Sequence, residues 1–327
     1  MRLISRSEVE ANLGMAECIE LMRAAMIATS QGRTTQNPRQ YMPIAGSNGK
    51  MAMMPGTIDD PACFGIKLVC KYPRAAGDPL GTHVGMVMLF DSVEGVPLAM
   101  VEGSALTGIR TAAASGLATD LLARKDATRL AVIGTGEQAR RHVAAMRAVR
   151  PIARIAVWGR NAAAAQAFAR SLEDEHGLPV DAAATSAAAV AGADVICTAT
   201  ASATPVLCGA DLAEGQHLNL VGAAIPTSAE VDDAAVARGR FFVDLRAAAM
   251  AAAGELLGAI ERGKVGQDHI RGEIGEVAGG NVAGRQSERD ITIYKSLGIA
   301  AQDLAAAHYL WQRAEERAIG SAFDLLR

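Results

Sequence analysis

Leu130-Ala131-Val132-Ile133-Gly134-Thr135-Gly136-Glu137-Gln138-Ala139 is the stretch whose residue types and spacing say most about chemistry. An apolar run leads straight into G-x-G-x-x-A, and a helix-favouring segment follows. Gly134 permits a tight turn, and Gly136 lets the backbone approach a pyrophosphate. The small Ala139 lets the helix pack close to the strand, with the helix N-terminus facing the anion. The glycine spacing alone is weak evidence, and here alanine replaces the third glycine. The strand–turn–helix context is what the motif requires. A glycine turn in an unrelated α/β domain is the plain alternative. Gly134, Gly136, Glu137 and Gln138 are therefore candidate dinucleotide contacts.

The next strand ends at Trp158-Gly159-Arg160-Asn161. An acidic residue about 20 positions past the glycines would hold the ribose hydroxyls of NAD. None is present. Gly159 and Arg160 stand there instead, with Arg160 placed to pair with a 2′-phosphate and Asn161 able to donate a hydrogen bond. This favours NADP(H) over NAD(H), a solvated surface charge being the alternative for Arg160. Two further strand ends, at Thr198 and Thr200 and at Val221 and Ala223, are expected to frame the cofactor. Two cations also stand out. Lys67 lies in the apolar strand Phe64-Gly65-Ile66-Lys67-Leu68-Val69-Cys70, where an idle charge is expensive. Arg110 starts a helix and opposes its dipole unless it faces an anion.

The elements that must position these groups fall into two textures. Residues 7–32 predict one helix, with Ser7 as N-cap, Glu8 and Glu10 in the first turn and Gly32 at its end. Strand-like pieces follow at 49–55, 64–70 and 85–91. A turn over Asp91 to Gly95 leads into 97–101. These predict an antiparallel sheet with one helix against it. From about Thr107 the pattern changes. A helix over 111–122 precedes strands at 129–133, 155–158, 194–198, 217–222 and 241–244, with helices at 138–150 and 162–176. Such alternation predicts a parallel, doubly wound sheet. An amphipathic helix over 304–326 is expected to return to the first domain. The fold class is thus α/β, a Rossmann-type domain over 116–302 plus a smaller α+β domain over 1–115 and 303–327.

Length and composition agree. The chain has 327 residues, enough for about two domains. Half of them are hydrophobic, which supports a core in each. A net charge of -3 and 4% aromatic residues argue against nucleic acid and for a small-molecule partner. No secretory segment or membrane span is evident, so a cytoplasmic protein is expected. Five cysteines without a C-x-x-C pair give no support for disulfides or a zinc knuckle, and no metal is expected.

Four blocks together carry a resemblance. They are Gly65-Ile66-Lys67-Leu68-Val69, then Glu102 through Arg110-Thr111 to Ser115. The third is Val221-Gly222-Ala223-Ala224-Ile225-Pro226 with Glu230-Val231-Asp232. The last is Gly284-Arg285-Gln286-Ser287 with Ile291 through Lys295-Ser296-Leu297-Gly298. In this order they resemble the ornithine cyclodeaminase/mu-crystallin family over nearly the whole chain. The resemblance implies a homodimer built on the first domain, a cofactor in the second and a carboxylate-recognising pocket between them. It places Arg39, Lys67 and Arg110 as cationic substrate contacts and Thr82 as a further pocket position. Within the quoted blocks, Thr111 and Ser296 are additional cofactor candidates. An Arg fork suits a carboxylate, and a lysine among like charges becomes a usable acid or base. His83 and His217 read as structural hydrogen-bonders, His83 with a lesser claim on ligand.

Ornithine cyclodeaminases carry an Asp where Ala224 stands, assigned to the substrate amine and to water activation. Alanine can do neither. The resemblance therefore implies an NAD(P)H-dependent ketimine reductase rather than a lyase. The expected substrate is a 2-imino carboxylate such as Δ1-pyrroline-2-carboxylate or Δ1-piperideine-2-carboxylate, reduced to an L-amino acid. Lys67 and Arg110 are the catalytic candidates. The alternatives are an ornithine cyclodeaminase-type lyase, an alanine dehydrogenase-like or linear imino acid reductase, and an NADP-dependent binding protein like mu-crystallin.

Overall fold

In the computed structural model, which describes residues 1–74, 78 and 80–325, the chain divides into two compact units. One is Met1–Arg110 with the chain from Gly298 onward, and the other is Thr111–Leu297. Both junctions lie five residues earlier than the sequence suggests. The first falls inside a helix, where no composition change marks it.

The first unit contains β1 (Arg2–Ile4), α1 (Arg6–Asn12), α2 (Met15–Ser30), β2 (Thr34–Gln36), β3 (Gln40–Pro43), β4 (Lys50–Asp59), β5 (Ala62–Lys71), β6 (His83–Asp91) and β7 (Pro97–Glu102). The helix α3 (Gly103–Leu122) begins directly after β7. Its first turn is capped by the Glu102 carboxylate, which accepts from the Ser104 and Ala105 amides at 2.8 Å each. That cap moves the start eight residues ahead of the expected Thr111. The expected helix over 7–32 is two helices, because Gly14 takes an extended conformation as the N-cap of α2. Ser5, rather than Ser7, caps α1. Its amide and hydroxyl both donate to Glu8, three residues on, at 2.8 and 2.7 Å.

The sheet of this unit runs β16-β1-β7-β6-β5-β4-β2, where β16 is Ser321–Ala322, with β3 also on β4. It is antiparallel except where β1 pairs with β7. Along β5, Cys63, Gly65, Lys67 and Val69 are buried, while Phe64, Ile66, Leu68 and Cys70 are half-buried. The C-terminal α11 (Ala300–Arg317) covers the buried side, lying on β4, β5 and β6, and α2 packs on α11 and meets the sheet at β2. Helix α11 stops at Arg317 rather than near 326, because Ala318 turns left-handed and the chain returns as β16 (Ser321–Ala322) beside β1.

The second unit contains β8 (Arg129–Ile133), α4 (Glu137–Val149), β9 (Arg154–Trp158), α5 (Ala162–His176), β10 (Val180–Ala182), α6 (Ser186–Val190), β11 (Val195–Thr198) and β12 (His217–Leu220). It continues with α7 (Asp233–Arg238), β13 (Arg240–Val243), α8 (Arg246–Ala252), α9 (Gly254–Glu261), β14 (Ile270–Glu273), α10 (Ile274–Ala278) and β15 (Thr292–Lys295). All eight strands are parallel, in the order β10-β9-β8-β11-β12-β15-β13-β14. Its core includes Ile133, Ile196, Leu218, Phe241 and Ile293, continuous apolar runs buried on both faces. The order reverses direction between β8 and β11. Open sheets of this kind take ligands beyond the carboxyl ends of the strands at such a point. Among the described residues, no helix is long and apolar enough to cross a membrane, and no cluster is placed to hold a metal ion. All five cysteines are free thiols.

Candidate active site

In the first unit, the strand position of Lys67 aims its side chain at α11. Lys67 Nζ donates to Asp303 Oδ1 at 2.8 Å, and Arg110 Nε donates to the same oxygen at 2.9 Å. Arg110 Nη1 also donates to Gln302 Oε1 at 2.7 Å. Lys67, Arg110 and Asp303 are all 3% exposed or less. Gly298 makes room for the guanidinium. Its φ is +77°, and a Cβ there would stand 2.6 Å from Arg110 Nη1. Arg39, half-buried ahead of β3, donates from Nη2 to the Gly298 carbonyl and from Nη1 to the Tyr41 hydroxyl, each at 3.4 Å.

Two buried cations thus share one oxygen of one carboxylate. The other oxygen, Asp303 Oδ2, is buried with no hydrogen-bond partner among the described residues. Burial drives the Lys67 ammonium down, from 10.5 to about 7, and Arg110 adds repulsion that Asp303 only partly offsets. Asp303 is pushed upward by burial, but Arg110 and Lys67 outweigh this and hold it below its ordinary value. Two Lys67 protons and Arg110 Nη2 make no bond to any described residue, so the cluster can still grip a ligand carboxylate and exchange a proton near neutrality.

The structure therefore brings Lys67, Arg110 and Arg39 together. Thr82 and His83 are exposed, with Thr82 Oγ1 and His83 Nδ1 2.8 Å apart. Asp303 and Gln302 were not anticipated. The available signal was a polar pair inside the Ala- and Leu-rich run that opens α11, the same kind of oddity that marks Lys67.

In the second unit, β8 delivers the chain to Gly134 at φ +127°. A Cβ there would lie 2.5 Å from the Ala199 carbonyl. Gly136 is the N-cap of α4 and offers no side chain to its free amides, and a Cβ added to it would meet nothing within 4 Å. Glu137 and Gln138 form the first turn. Gln138 Oε1 and Ser296 Oγ are buried without a hydrogen-bond partner among the described residues. Open amides at a helix N-terminus, a bare glycine in front of them and these orphaned polar atoms fit a dinucleotide diphosphate and its flanking groups. At the end of β9, Gly159 approaches Thr135, Arg160 is exposed, and no ion pair or hydrogen bond from Arg160 to a described residue is present. Asn161 Oδ1 caps α5 by accepting from the Ala164 amide at 3.0 Å, leaving only Nδ2 of that side chain to donate.

The remaining cofactor candidates are mostly tied to a second buried network. Glu230, with no exposure, accepts from Thr198 Oγ1 at 2.8 Å, from the Thr200 amide and hydroxyl at 2.7 and 2.8 Å, and from the Gly222 amide at 2.6 Å. A longer bond of 3.4 Å joins the Ala223 amide. The hydroxyls of Thr198 and Thr200 therefore face Glu230. Glu255 accepts from the Glu230 amide at 3.1 Å and from Lys295 Nζ at 3.2 Å, while Lys295 also donates to the Ala223 carbonyl. Val221 and Thr111 are buried, and the Val221 amide donates to the Thr198 carbonyl at 3.0 Å. One carboxylate thus pins the ends of β11 and β12 together. A charge amid Ile-Thr-Ile-Tyr-Lys was the sequence clue to Lys295.

Comparison with known proteins covers the whole chain. The model of the ornithine cyclodeaminase/mu-crystallin family matches residues 1–318. A Δ1-pyrroline-2-carboxylate reductase of Bacillus cereus is 35% identical over 99% of this chain and 100% of its own. The structure of Thermococcus litoralis Δ1-pyrroline-2-carboxylate reductase in complex with NADH and L-proline is 31% identical. It superimposes with a TM-score of 0.94 over 99% of this chain and 100% of that one. An archaeal alanine dehydrogenase dimer with bound NAD is 29% identical, with a TM-score of 0.92 over 100% and 99%.

Proposed function

The chain belongs to the ornithine cyclodeaminase/mu-crystallin family, and from that premise we propose that it is a nicotinamide-dependent reductase of 2-imino carboxylates such as Δ1-pyrroline-2-carboxylate. The observation that carries the reading is the single Asp303 oxygen shared by Lys67 and Arg110, in a site where burial, with Arg110 and Arg39 close by, brings Lys67 down to about 7. Arg110, through Nη2, and Arg39 hold the substrate carboxylate. Lys67, in its ammonium form, hydrogen-bonds the imine nitrogen and supplies the proton that ends there. A protonated imine is the better acceptor, because its positive charge is lost as the new C–H bond forms. Gly134, Gly136, Glu137 and Gln138 would hold the dinucleotide, whose nicotinamide would supply the hydride. Asp303 keeps Lys67 from discharging altogether, and burial of the cluster strengthens each of these contacts.

Ala224 supplies no group for the amine of a diamino acid, which supports reduction over deaminative cyclisation. NADPH is the preferred cofactor in this reading. Exposed Arg160 and the lack of an acid after β9 support it, although the solved relatives carry NADH and NAD. The protein pairs with a second copy, which the half-buried apolar row Phe64, Ile66, Leu68 and Cys70 on the outer sheet face supports. The test is oxidation of NADPH and NADH at 340 nm with cyclic and linear 2-imino acids. Cyclic imino acids are expected to drive rapid NADPH oxidation with ornithine inert, and Arg160→Ser is expected to shift preference toward NADH by about 10-fold or more. Ammonia release from ornithine, or tight cofactor binding without any turnover, would overturn the reading.

A further inference from the structure

The proposed carboxylate grip leaves a group of cations unused. On the same sheet face as Lys67, strand pairing aligns Lys50 of β4, Lys71 of β5 and His83 of β6 in one row. The row before it is Tyr41, Ala52, Val69 and Gly85. Lys50 Nζ stands 5.1 Å and Lys71 Nζ 5.7 Å from the centre of the Tyr41 ring. Arg39 reaches the Tyr41 hydroxyl from the other side, at 3.4 Å. Neither Lys50 nor Lys71 forms an ion pair with any described carboxylate, and the only acid in the whole group is Asp303, already shared by Lys67 and Arg110.

The charge count exceeds what one carboxylate needs. Lys67, Arg110 and Arg39 against Asp303 leave between one and two positive charges, which matches a monocarboxylate. Lys50 and Lys71 add two more, next to a row that includes Ala52 and Gly85. Like charges held together without a counter-ion cost stability, and a face of one sign recruits the opposite. Burial, offset in part by Tyr41, holds Lys71 below its ordinary value, and Arg39 and Lys50 add to the lowering. Tyr41 is held low by the cations around it, against the upward pull of burial, so its hydroxyl is a strong donor. Four residues of strand separate Lys67 from Lys71, roughly 13 Å between Cα atoms. His83, paired with Lys71 across the strands, feels the charge of both lysines.

Resting on the reductase reading above, we propose that Lys50, Lys71 and the Tyr41 hydroxyl form a second anion subsite, and that the site takes imino acids bearing a further carboxylate at the end remote from the reacting carbon.

The experiment compares Δ1-pyrroline-2-carboxylate with Δ1-pyrroline-2,5-dicarboxylate, on the wild type and on Lys71→Gln and Lys50→Gln. Calorimetric binding of L-proline and pyrrolidine-2,5-dicarboxylate runs alongside and needs no turnover. Wild type is expected to favour the dicarboxylate in both kcat/KM and affinity by about tenfold or more, the worth of one charge-assisted hydrogen bond. Lys71→Gln is expected to erase that preference while leaving the monocarboxylate within about twofold. Equal losses for both compounds would mean general steering of anions and would overturn the subsite, as would no loss for either. Failure of every imino acid to turn over would sink the reductase reading, while the calorimetry would still decide the subsite.

Discussion

Replacing Asp303 with asparagine keeps the shape of the cluster and removes its one negative charge. Asp303 Oδ1 lies 2.8 Å from Lys67 Nζ. Taking about 4 Å between charge centres and an effective dielectric near 20, the pair is worth roughly 4 kcal/mol. That corresponds to about three pH units on Lys67. In the wild type Lys67 titrates near 7, so kcat/KM for imine reduction is high in acid and declines above pH 7. In Asp303→Asn the declining limb moves acid by about three pH units, and at pH 7 the rate falls roughly 10²- to 10³-fold. The assay is kcat/KM across pH 5 to 9. Lysine Nζ NMR titration reads the same movement without turnover. Arg110, left buried without its counter-charge, also costs about 3–5 kcal/mol, so a lower Tm is expected in parallel. A limb that stayed near 7 in the variant would refute the argument, because the titrating group would then not be Lys67.

Three further outcomes follow from the geometry. Burial lowers Lys67 from 10.5 to about 7, so between those values the unfolded chain holds the extra proton and stability rises with pH. Lys67→Met should abolish that rise, worth roughly 4 kcal/mol across the window, leave the Arg110–Asp303 pair intact and cut activity at least about 100-fold. Denaturant midpoints at pH 7 and pH 10 check it. Glu230→Gln replaces an acceptor of four bonds under 3 Å with an amide whose nitrogen faces donors. It should lose about 2–4 kcal/mol of stability and weaken dinucleotide affinity, read by urea melts and by cofactor fluorescence. Gly136→Ala meets no protein atom within 4 Å, so the free protein should keep its Tm while the dinucleotide binds far more weakly.

The second unit was the more legible part of the sequence. Val-Ile-Gly-Thr-Gly at β8 and the helix 162–176 mark themselves by apolar runs, glycine and an Asn cap, all local signals. Lys67 was legible for a similar reason, since a charge in an apolar strand needs a purpose. Asp303 was not. Its partner lies 236 residues away, and only the docking of α11 on β5 makes an acid in an alanine-rich helix into a counter-ion. Glu230 stands in one of the blocks that carry the resemblance, but its role was not legible because its donors are backbone amides and threonines that carry no pattern. The strands β10 and β14 were missed because each is short and partly exposed. The break at Gly14 inside an otherwise periodic helix turned on one residue.

The first unit is assembled from both ends of the chain, and this orders its synthesis. Residues 111–297 form a continuous unit whose sheet can close as soon as they leave the ribosome. Lys67 and Arg110 are made early but must wait for α11, among the last thirty residues, before either meets its carboxylate. Until then the nascent chain has every reason to keep β5 wet. A stop codon or frameshift between residues 298 and 303 would therefore spare the dinucleotide cradle, yet remove the carboxylate that both cations share.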